Sequence, residues 1–184
     1  MQAATAPLVE HSDEPPMPLA PIPSWLRYIG KTVDAVVILI GGSLAALIFT
    51  NVVLHAFGKD LAWLTELGEL LMVWVTFLGG AAAAQRGAHM SINEFLDKLT
   101  ESKRRWADAA VQVFTLALLA VVLFYGLRIV SSSWDNVLTT LEWPMAWQYM
   151  PMPLGIGLMA LFIGWDLLLI LRGVPRAQRY PTDL

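Results

Sequence analysis

The stretch VDAVVILIGGSLAALIFTNVVLHAF, residues 33–57, is apolar almost throughout, and Asp34 is its only charged side chain. This length exceeds the about 20 apolar residues that cross a bilayer as a helix. Three more stretches of similar character follow, at about residues 64–84, 107–127 and 152–171. Because the bilayer core contains no water, each stretch must satisfy its backbone hydrogen bonds internally, which favours helices. The sequence therefore predicts an all-α integral membrane protein with four transmembrane helices.

The composition of the chain is that of a membrane protein. Hydrophobic residues make up 57% of the 184 residues and charged residues 15%, whereas soluble domains average roughly 25% charged residues. The net charge is −3, and no basic patch indicates a nucleic-acid partner. The chain has no cysteine, which excludes disulfides, thiolate metal sites and cysteine nucleophiles.

Prolines and basic residues divide the chain into a membrane domain and two tails. Residues 1–24 contain six prolines and no apolar run, which predicts a disordered tail. Residues 25–172 form the membrane domain, and residues 173–184 form a second tail. Ten of the twelve lysines and arginines lie near the tails or in the connection after the second span, and only Lys59 and Arg128 lie on the other side. The positive-inside rule then places both termini in the cytoplasm.

The connection between the second and third spans has the pattern of an amphipathic helix. Its apolar residues recur at i, i+3, i+4 and i+7, and they are Ile92, Phe95, Leu96 and Leu99. We predict a short interfacial helix at about residues 92–99, which membrane lipid would contact through the anchors Phe95, Leu96, Leu99, Lys103, Arg104 and Arg105. An ordinary two-turn connector is the alternative.

Small residues are concentrated in the second span. Gly79 and Ala83 form one pair at small-xxx-small spacing, and Gly80 and Ala84 form another. Such residues allow helix backbones to approach closely where lipid provides no hydrophobic drive for association. Two interpretations remain open, namely packing within this chain and contact with a partner.

Acidic residues lie near the ends of the spans and not at their centres. Glu66 and Glu69, three residues apart at the start of the second span, could pair with Lys59 or Arg128, or could be solvated carboxylates at a helix N-terminus. Asp34 and Asp166 lie near the opposite ends of spans one and four, where Lys31 and Arg172 could pair with them. A charge at the bilayer centre, which ion-coupled pumps usually have, is absent from the sequence.

The sequence contains no recognisable catalytic or cofactor site. His55 and His89 fall at opposite ends of their spans, and His11 lies in the tail, so no two histidines have the spacing of a haem or zinc site. Glycine-rich phosphate loops, nucleophile elbows and His-Glu-x-x-His helices are also missing from the sequence. We expect no enzyme activity and no cofactor.

Four segments resemble one family of membrane proteins. They are WLTE at residues 63–66, WVTFLG at 74–79, QRGAHM at 85–90, and WPMAWQY at 143–149, which leads to Pro153-Leu-Gly155. Together with the four spans, they are similar to the small membrane subunit, of DctQ type, of tripartite ATP-independent periplasmic (TRAP) transporters. The chain departs from the family pattern at Asn93, where an aspartate is frequent, and at Glu69, where a basic residue is frequent.

The resemblance implies a role and two partners. Such subunits associate with a large sodium-coupled subunit of DctM type in the bacterial inner membrane, and a periplasmic binding protein of DctP type delivers an organic acid. The implied role is a scaffold for the large subunit. Residues with an expected interface or structural role are Glu66, Glu69, Trp74, Gly79, Gly80, Ala83, Arg86, Gly87 and His89.

Two other classes of protein remain as alternatives. A self-contained small exporter that acts as a dimer also has four helices, but it needs a carboxylate at the bilayer centre. A membrane anchor of a redox complex needs paired histidines or a quinone pocket. The sequence favours the TRAP subunit over both classes.

Overall fold

The computed structural model describes residues 23–59, 61–86 and 101–174, with the side chains of residues 101–104 excepted. The predicted interfacial helix at 92–99 lies outside the described residues, as do Gly87, His89, Phe95, Leu96 and Leu99. The side chains of Lys103 and Arg104 lie outside them as well. The helices are α1 (Ser24–Ala56), α2 (Ala62–Gln85), α3 (Glu101–Ser132), α4 (Ala146–Tyr149) and α5 (Pro151–Leu171).

Four of these helices confirm the predicted membrane fold. α1, α2, α3 and α5 are each long and apolar enough to cross a bilayer, and the described part of the chain contains no β-strand beyond one isolated bridge. α1 begins well before the apolar stretch that starts at residue 33, and its 33 residues correspond to a length of about 50 Å. The helices are therefore longer than the apolar spans within them.

Glycine in a left-handed conformation ends two of the long helices. Gly58 has a φ of +70° after α1, and Gly173 has a φ of +79° after α5. The next backbone N–H reaches back into the last turn in both cases, from Lys59 to the Leu54 carbonyl and from Val174 to the Leu169 carbonyl. This is the Schellman arrangement, in which glycine avoids the steric cost of positive φ.

The long helices pack in the order α1, α2, α5, α3, so α2 and α5 are central. A core between α1 and α2 contains Val33, Ala81 and Ala82, against which Leu158 and Met159 of α5 also pack. The apolar surfaces of α1 and α3 are largely exposed. The fold therefore has two central helices with partly buried faces and two edge helices.

The two ends of the molecule differ in their connections. At one end, called here the loop end, residues 133–145 form a tight loop between α3 and α4. The Leu138 N–H donates to the Trp143 carbonyl at 2.8 Å, and the Met145 N–H donates to the Asn136 carbonyl at 2.7 Å. The other end, called the terminal end, contains the start of α1 and the end of α5.

Candidate functional site

The Glu66 side chain binds the main chain of the connection between α3 and α4. Its carboxylate accepts hydrogen bonds from the backbone N–H of Thr140, at 2.9 and 3.0 Å, and of Leu141, at 2.8 Å. Pairing with Lys59 or Arg128, one of the two possibilities that the sequence left open, does not occur, because these main-chain groups are the partners of Glu66. The loop turns at residues 139–141 and presents N–H groups that lack helical partners, and a carboxylate can accept two of them.

Glu69 has a different environment from Glu66, although only three residues separate them. It is exposed, and within residues 23–59, 61–86 and 101–174 it has no hydrogen bond or ion pair. Arg128 was considered as a partner of Glu69. It lies instead over the Phe124 ring, 5.4 Å from the ring centroid. The expected acidic pair is thus one carboxylate bound by the loop and one that faces away from the bundle.

Trp74 links α2 to the short helix before α5. The Trp74 Nε1–H donates to the Trp147 carbonyl at 3.2 Å. Trp74 is half-buried, and tryptophan N–H groups that leave water usually find such an acceptor. This contact explains a tryptophan inside a span, away from the interfacial depth at which tryptophan is commonest.

The small residues of α2 divide between two faces. A Cβ on Gly80 would lie 3.7 Å from the Met159 sulfur on α5, and Ala84 is buried. A Cβ on Gly79 would meet nothing within 4 Å, and Ala83 is only half-buried. Gly80 and Ala84 therefore serve packing within the chain, whereas Gly79 and Ala83 lie on an outward face.

Asp34 and Arg86 fasten α1 to α2 at the terminal end. The Arg86 guanidinium donates to the Asp34 carboxylate at 2.8 Å, with the two side chains 56% and 28% exposed. Lys31, which the sequence suggested as a possible partner of Asp34, is replaced in this role by Arg86, because the antiparallel packing of α1 and α2 brings Arg86 alongside. Arg86 was predicted to have an interface role, and the structure gives it a partner within the chain.

Asp166 lies between α5 and α3 and was not predicted to be buried. It is 4% exposed, and its Oδ2 accepts a hydrogen bond from Gln112 Nε2 at 2.6 Å. The suggested interaction of Asp166 with Arg172 stays a prediction. Gln112 was not identified from the sequence. This polar residue lies near the start of span three at a depth similar to that of Asp166, and this position could have indicated the pair.

Arg105 caps the end of α5. Its guanidinium donates to the Leu171 carbonyl, one of the carbonyls that the end of a helix leaves without an intrahelical donor. The side chain is exposed overall and also lies near Gly173. Arg105 was predicted to contact lipid as an interfacial anchor, and the structure adds a contact between α3 and α5.

The polar contacts described above connect different helices, or a helix and the loop, within the chain. In the described residues, no three His, Cys, Asp or Glu side chains come together as a metal site would require. The carboxylates of Glu66, Asp34 and Asp166 each bind another element of the same chain. What this arrangement can do is hold four helices in fixed positions, with one outward face of α2 left uncovered.

Comparison with known proteins matches this architecture to one family. The family model described as the DctQ component of tripartite ATP-independent periplasmic transporters matches residues 44–173. The ectoine TRAP transporter small permease protein TeaB of Halomonas elongata is 27% identical over 129 residues, which cover 66% of this chain and 65% of that protein. The sialic acid TRAP transporter small permease protein SiaQ of Vibrio cholerae is 27% identical over 93 residues, 50% of this chain and 54% of that protein.

A longer relative contains the same region. The sialic acid TRAP transporter permease protein SiaT of Haemophilus influenzae is 28% identical over 107 residues, which are 56% of this chain and only 17% of SiaT. The chain thus spans less than two thirds of the length of each of these relatives. The family match covers well over half of this chain. The chain therefore belongs to the DctQ component family of TRAP transporters, whose members are transporter components and not enzymes, in agreement with the resemblance seen in the sequence.

Proposed function

We propose that this chain is the small permease subunit of a TRAP-type secondary transporter and that it acts as a scaffold for a larger membrane subunit. The observation that carries this proposal is the match to SiaT, in which the similar region makes up 17% of a much longer permease. A region that exists as a short chain in some relatives and as part of a long chain in another is expected to work beside the remainder of that long chain.

The internal contacts of the four helices suit a scaffold. Asp34, Glu66 and Asp166 bind other parts of the same chain, so these carboxylates hold helices and the loop in place. Ion-coupled transport sites commonly have charged residues deep inside membrane spans, and the sequence has none at the centre of a span. We propose that the larger subunit provides the sodium-coupled transport site and that this chain extends its static part.

The substrate of the complete transporter is proposed only as a class. The relatives are named for ectoine and for sialic acid, so similar small subunits occur in transporters for different compounds. We propose uptake of an organic acid that a periplasmic binding protein delivers. In this proposal the choice among such acids depends on the other two proteins.

The proposed location is the bacterial inner membrane, with the terminal end in the cytoplasm. This orientation follows from the ten basic residues near the tails and the α2–α3 connection, against two on the other side. The loop end, with the connection that Glu66 holds, would then face the periplasm. Accessibility of single introduced cysteines to a membrane-impermeant reagent tests the orientation, because the natural chain has none.

Affinity purification from the native membrane tests the proposed function. The chain is tagged at its C-terminus, extracted in mild detergent and analysed for proteins that are recovered in stoichiometric amounts. A larger multi-pass membrane protein at one to one supports the proposal, and deletion of this chain should then abolish uptake of the transporter's substrate. Recovery of a homodimer alone would contradict the proposal and favour a small dimeric exporter.

A further inference from the structure

One exposed face of α2 combines small residues with an exposed carboxylate. Its residues recur at alternating steps of four and three, which places them along one side of a helix. They are Thr65, Glu69, Met72, Thr76, Gly79 and Ala83, called here the α2 ridge. We propose that the α2 ridge binds a transmembrane helix of the larger subunit and that Glu69 pairs there with a basic side chain. This inference rests on the proposed function.

Most of the α2 ridge is exposed in the described part of the chain. Thr65, Glu69, Met72 and Thr76 are exposed, and a Cβ on Gly79 would meet nothing within 4 Å. The Thr76 hydroxyl donates to the Met72 carbonyl of its own helix and needs no further partner. α1 and α5 pack against other sides of α2, through residues such as Ala82 and Gly80.

α1 and α3 expose mainly large apolar side chains, although α1 also exposes the small residues Gly42 and Ala46. The exposed large apolar residues of α1 and α3 are numerous and include Leu39, Phe49, Phe114, Val121 and Phe124. On the ridge, Met72 alone is large and apolar. Lipid tails give no preference for small residues, whereas helix–helix contacts in membranes do, because small residues let backbones approach closely. The ridge therefore has the composition of a helix-binding surface.

Glu69 restricts what can cover the ridge. It lies about 10 Å along α2 from Ala62, and no described side chain pairs with it. A carboxylate on the lipid-facing side of a membrane helix is unfavourable unless a partner satisfies it. Glu66, one turn away, accepts hydrogen bonds from the loop. In this proposal the complementary group for Glu69 comes from the larger subunit, and a basic side chain fits its charge.

A second copy of this chain is a poor occupant of the ridge. Two copies inserted in the same orientation would be related by a twofold axis along the membrane normal, which places identical residues opposite each other. Glu69 would then face Glu69, and two like charges at close range repel. A different, larger membrane protein avoids this repulsion, and the length of SiaT provides a precedent for one.

Crosslinking from single cysteines tests which face the partner covers. Thr76→Cys on the ridge and Leu39→Cys on the exposed face of α1 are each labelled in native membranes with a thiol-reactive photocrosslinker. We expect Thr76→Cys to crosslink to a protein much larger than this chain and Leu39→Cys to give no such product. Labelling of the cysteine-free natural chain controls for non-specific reaction.

Retention of the larger protein during purification gives an independent readout. Gly79→Leu should lower the recovered amount about tenfold, the range of a single well-packed interface residue, and Glu69→Lys should do the same by charge repulsion. Gly157→Leu on α5 is the matched control, because a Cβ there also meets nothing within 4 Å and the residues four positions away are Pro153 and Leu161. Size-exclusion profiles of each variant show whether it still folds.

The two proposals fail in different ways. If the natural chain retains a larger protein, but the ridge variants retain it equally well and Thr76→Cys does not crosslink to it, the ridge inference is wrong and the proposed function stands. A crosslink between two copies of this chain also overturns the ridge inference. If the natural chain retains no larger membrane protein, both proposals are wrong.

Discussion

α5 meets its two neighbours in different ways. Towards α2 the contact is one of shape, because Gly155 lies so close to Phe77 that a Cβ on Gly155 would be 2.6 Å from the Phe77 carbonyl oxygen. Towards α3 the contact includes a buried polar pair, in which Gln112 donates to Asp166 at 2.6 Å. The contact of α5 with α2 thus requires that Gly155 has no side chain, whereas the contact with α3 uses the side chains of Asp166 and Gln112.

The difference shows how the order of helices can be specified inside a membrane. Hydrophobicity does not discriminate between neighbours there, since lipid is as apolar as leucine. A close backbone approach selects a neighbour by steric fit, and a buried hydrogen bond selects a neighbour by its polar partner. α5 uses both, which places it between α2 and α3 in a unique arrangement.

Filling the contact with α2 should cause the largest loss of stability. Gly155→Ala adds a Cβ that would clash with the Phe77 backbone, so α2 and α5 must move apart. Overpacking of this kind typically costs about 1–3 kcal/mol, and we expect the upper part of that range because the obstacle is main chain. Thermal unfolding in mild detergent, followed by size-exclusion chromatography, measures the change.

Gly157→Ala is the matched control for this substitution. It lies two residues further along the same helix, and a Cβ there meets nothing within 4 Å. Alanine is also a better helix former than glycine, so the control should be neutral or slightly stabilising. Equal behaviour of the two variants would contradict the close approach of α5 to α2.

Removing the polar contact with α3 should cause a smaller loss. Gln112→Leu leaves the buried Asp166 carboxylate without this donor. Hydrogen bonds between membrane helices contribute on average about 0.6 kcal/mol and at most about 1.7 kcal/mol, so we expect a cost of about 1 kcal/mol in the same unfolding assay. Phe114→Leu, at an exposed position two residues away, should have almost no effect. If Gln112→Leu proved more damaging than Gly155→Ala, the ranking of the two contacts would be reversed.

The sequence predicted the spans of this fold better than the contacts between them. Four apolar stretches of about 20 residues are a local signal, and each corresponds to a long helix. The rotation of each helix about its axis is not local, so the sequence could not show that Gly155 meets α2 while Gly157 is open. Helix pairing in three dimensions decides which glycine is indispensable.

The partners of the acidic residues show a second limit. Lys59 and Arg128 were considered as partners for Glu66 because charged side chains are visible in a sequence, whereas the actual donors are main-chain N–H groups of the loop. Every residue except proline has such a group, so the sequence does not mark these donors. Gln112 and Asp166 could have been matched, because both are polar residues within apolar stretches at similar depth.

Loss of the Glu66 contacts should loosen the loop without loosening the helices. In Glu66→Ala the backbone N–H groups of Thr140 and Leu141 lose their acceptor, so we expect their hydrogen exchange to become several-fold faster. Hydrogen–deuterium exchange with mass spectrometry of peptides that cover residues 133–145 measures this change. Glu69→Ala removes a neighbouring carboxylate that does not contact the loop, and exchange in these peptides should remain as in the natural chain.

The pair between Arg86 and Asp34 should have the smallest effect of the contacts considered. Both side chains are partly exposed, and an ion pair of this kind contributes about 0–1 kcal/mol because water screens it and two flexible side chains must be ordered. Asp34→Asn should therefore change the unfolding temperature much less than Gln112→Leu does. High salt should reduce even this difference, since it screens exposed charges. A loss as large as that of Gly155→Ala would mean that α1 is held to α2 by charge and not by the packing of Val33 against Ala81 and Ala82. The edge helix would then be fastened electrostatically, in contrast to the steric contact of the central pair.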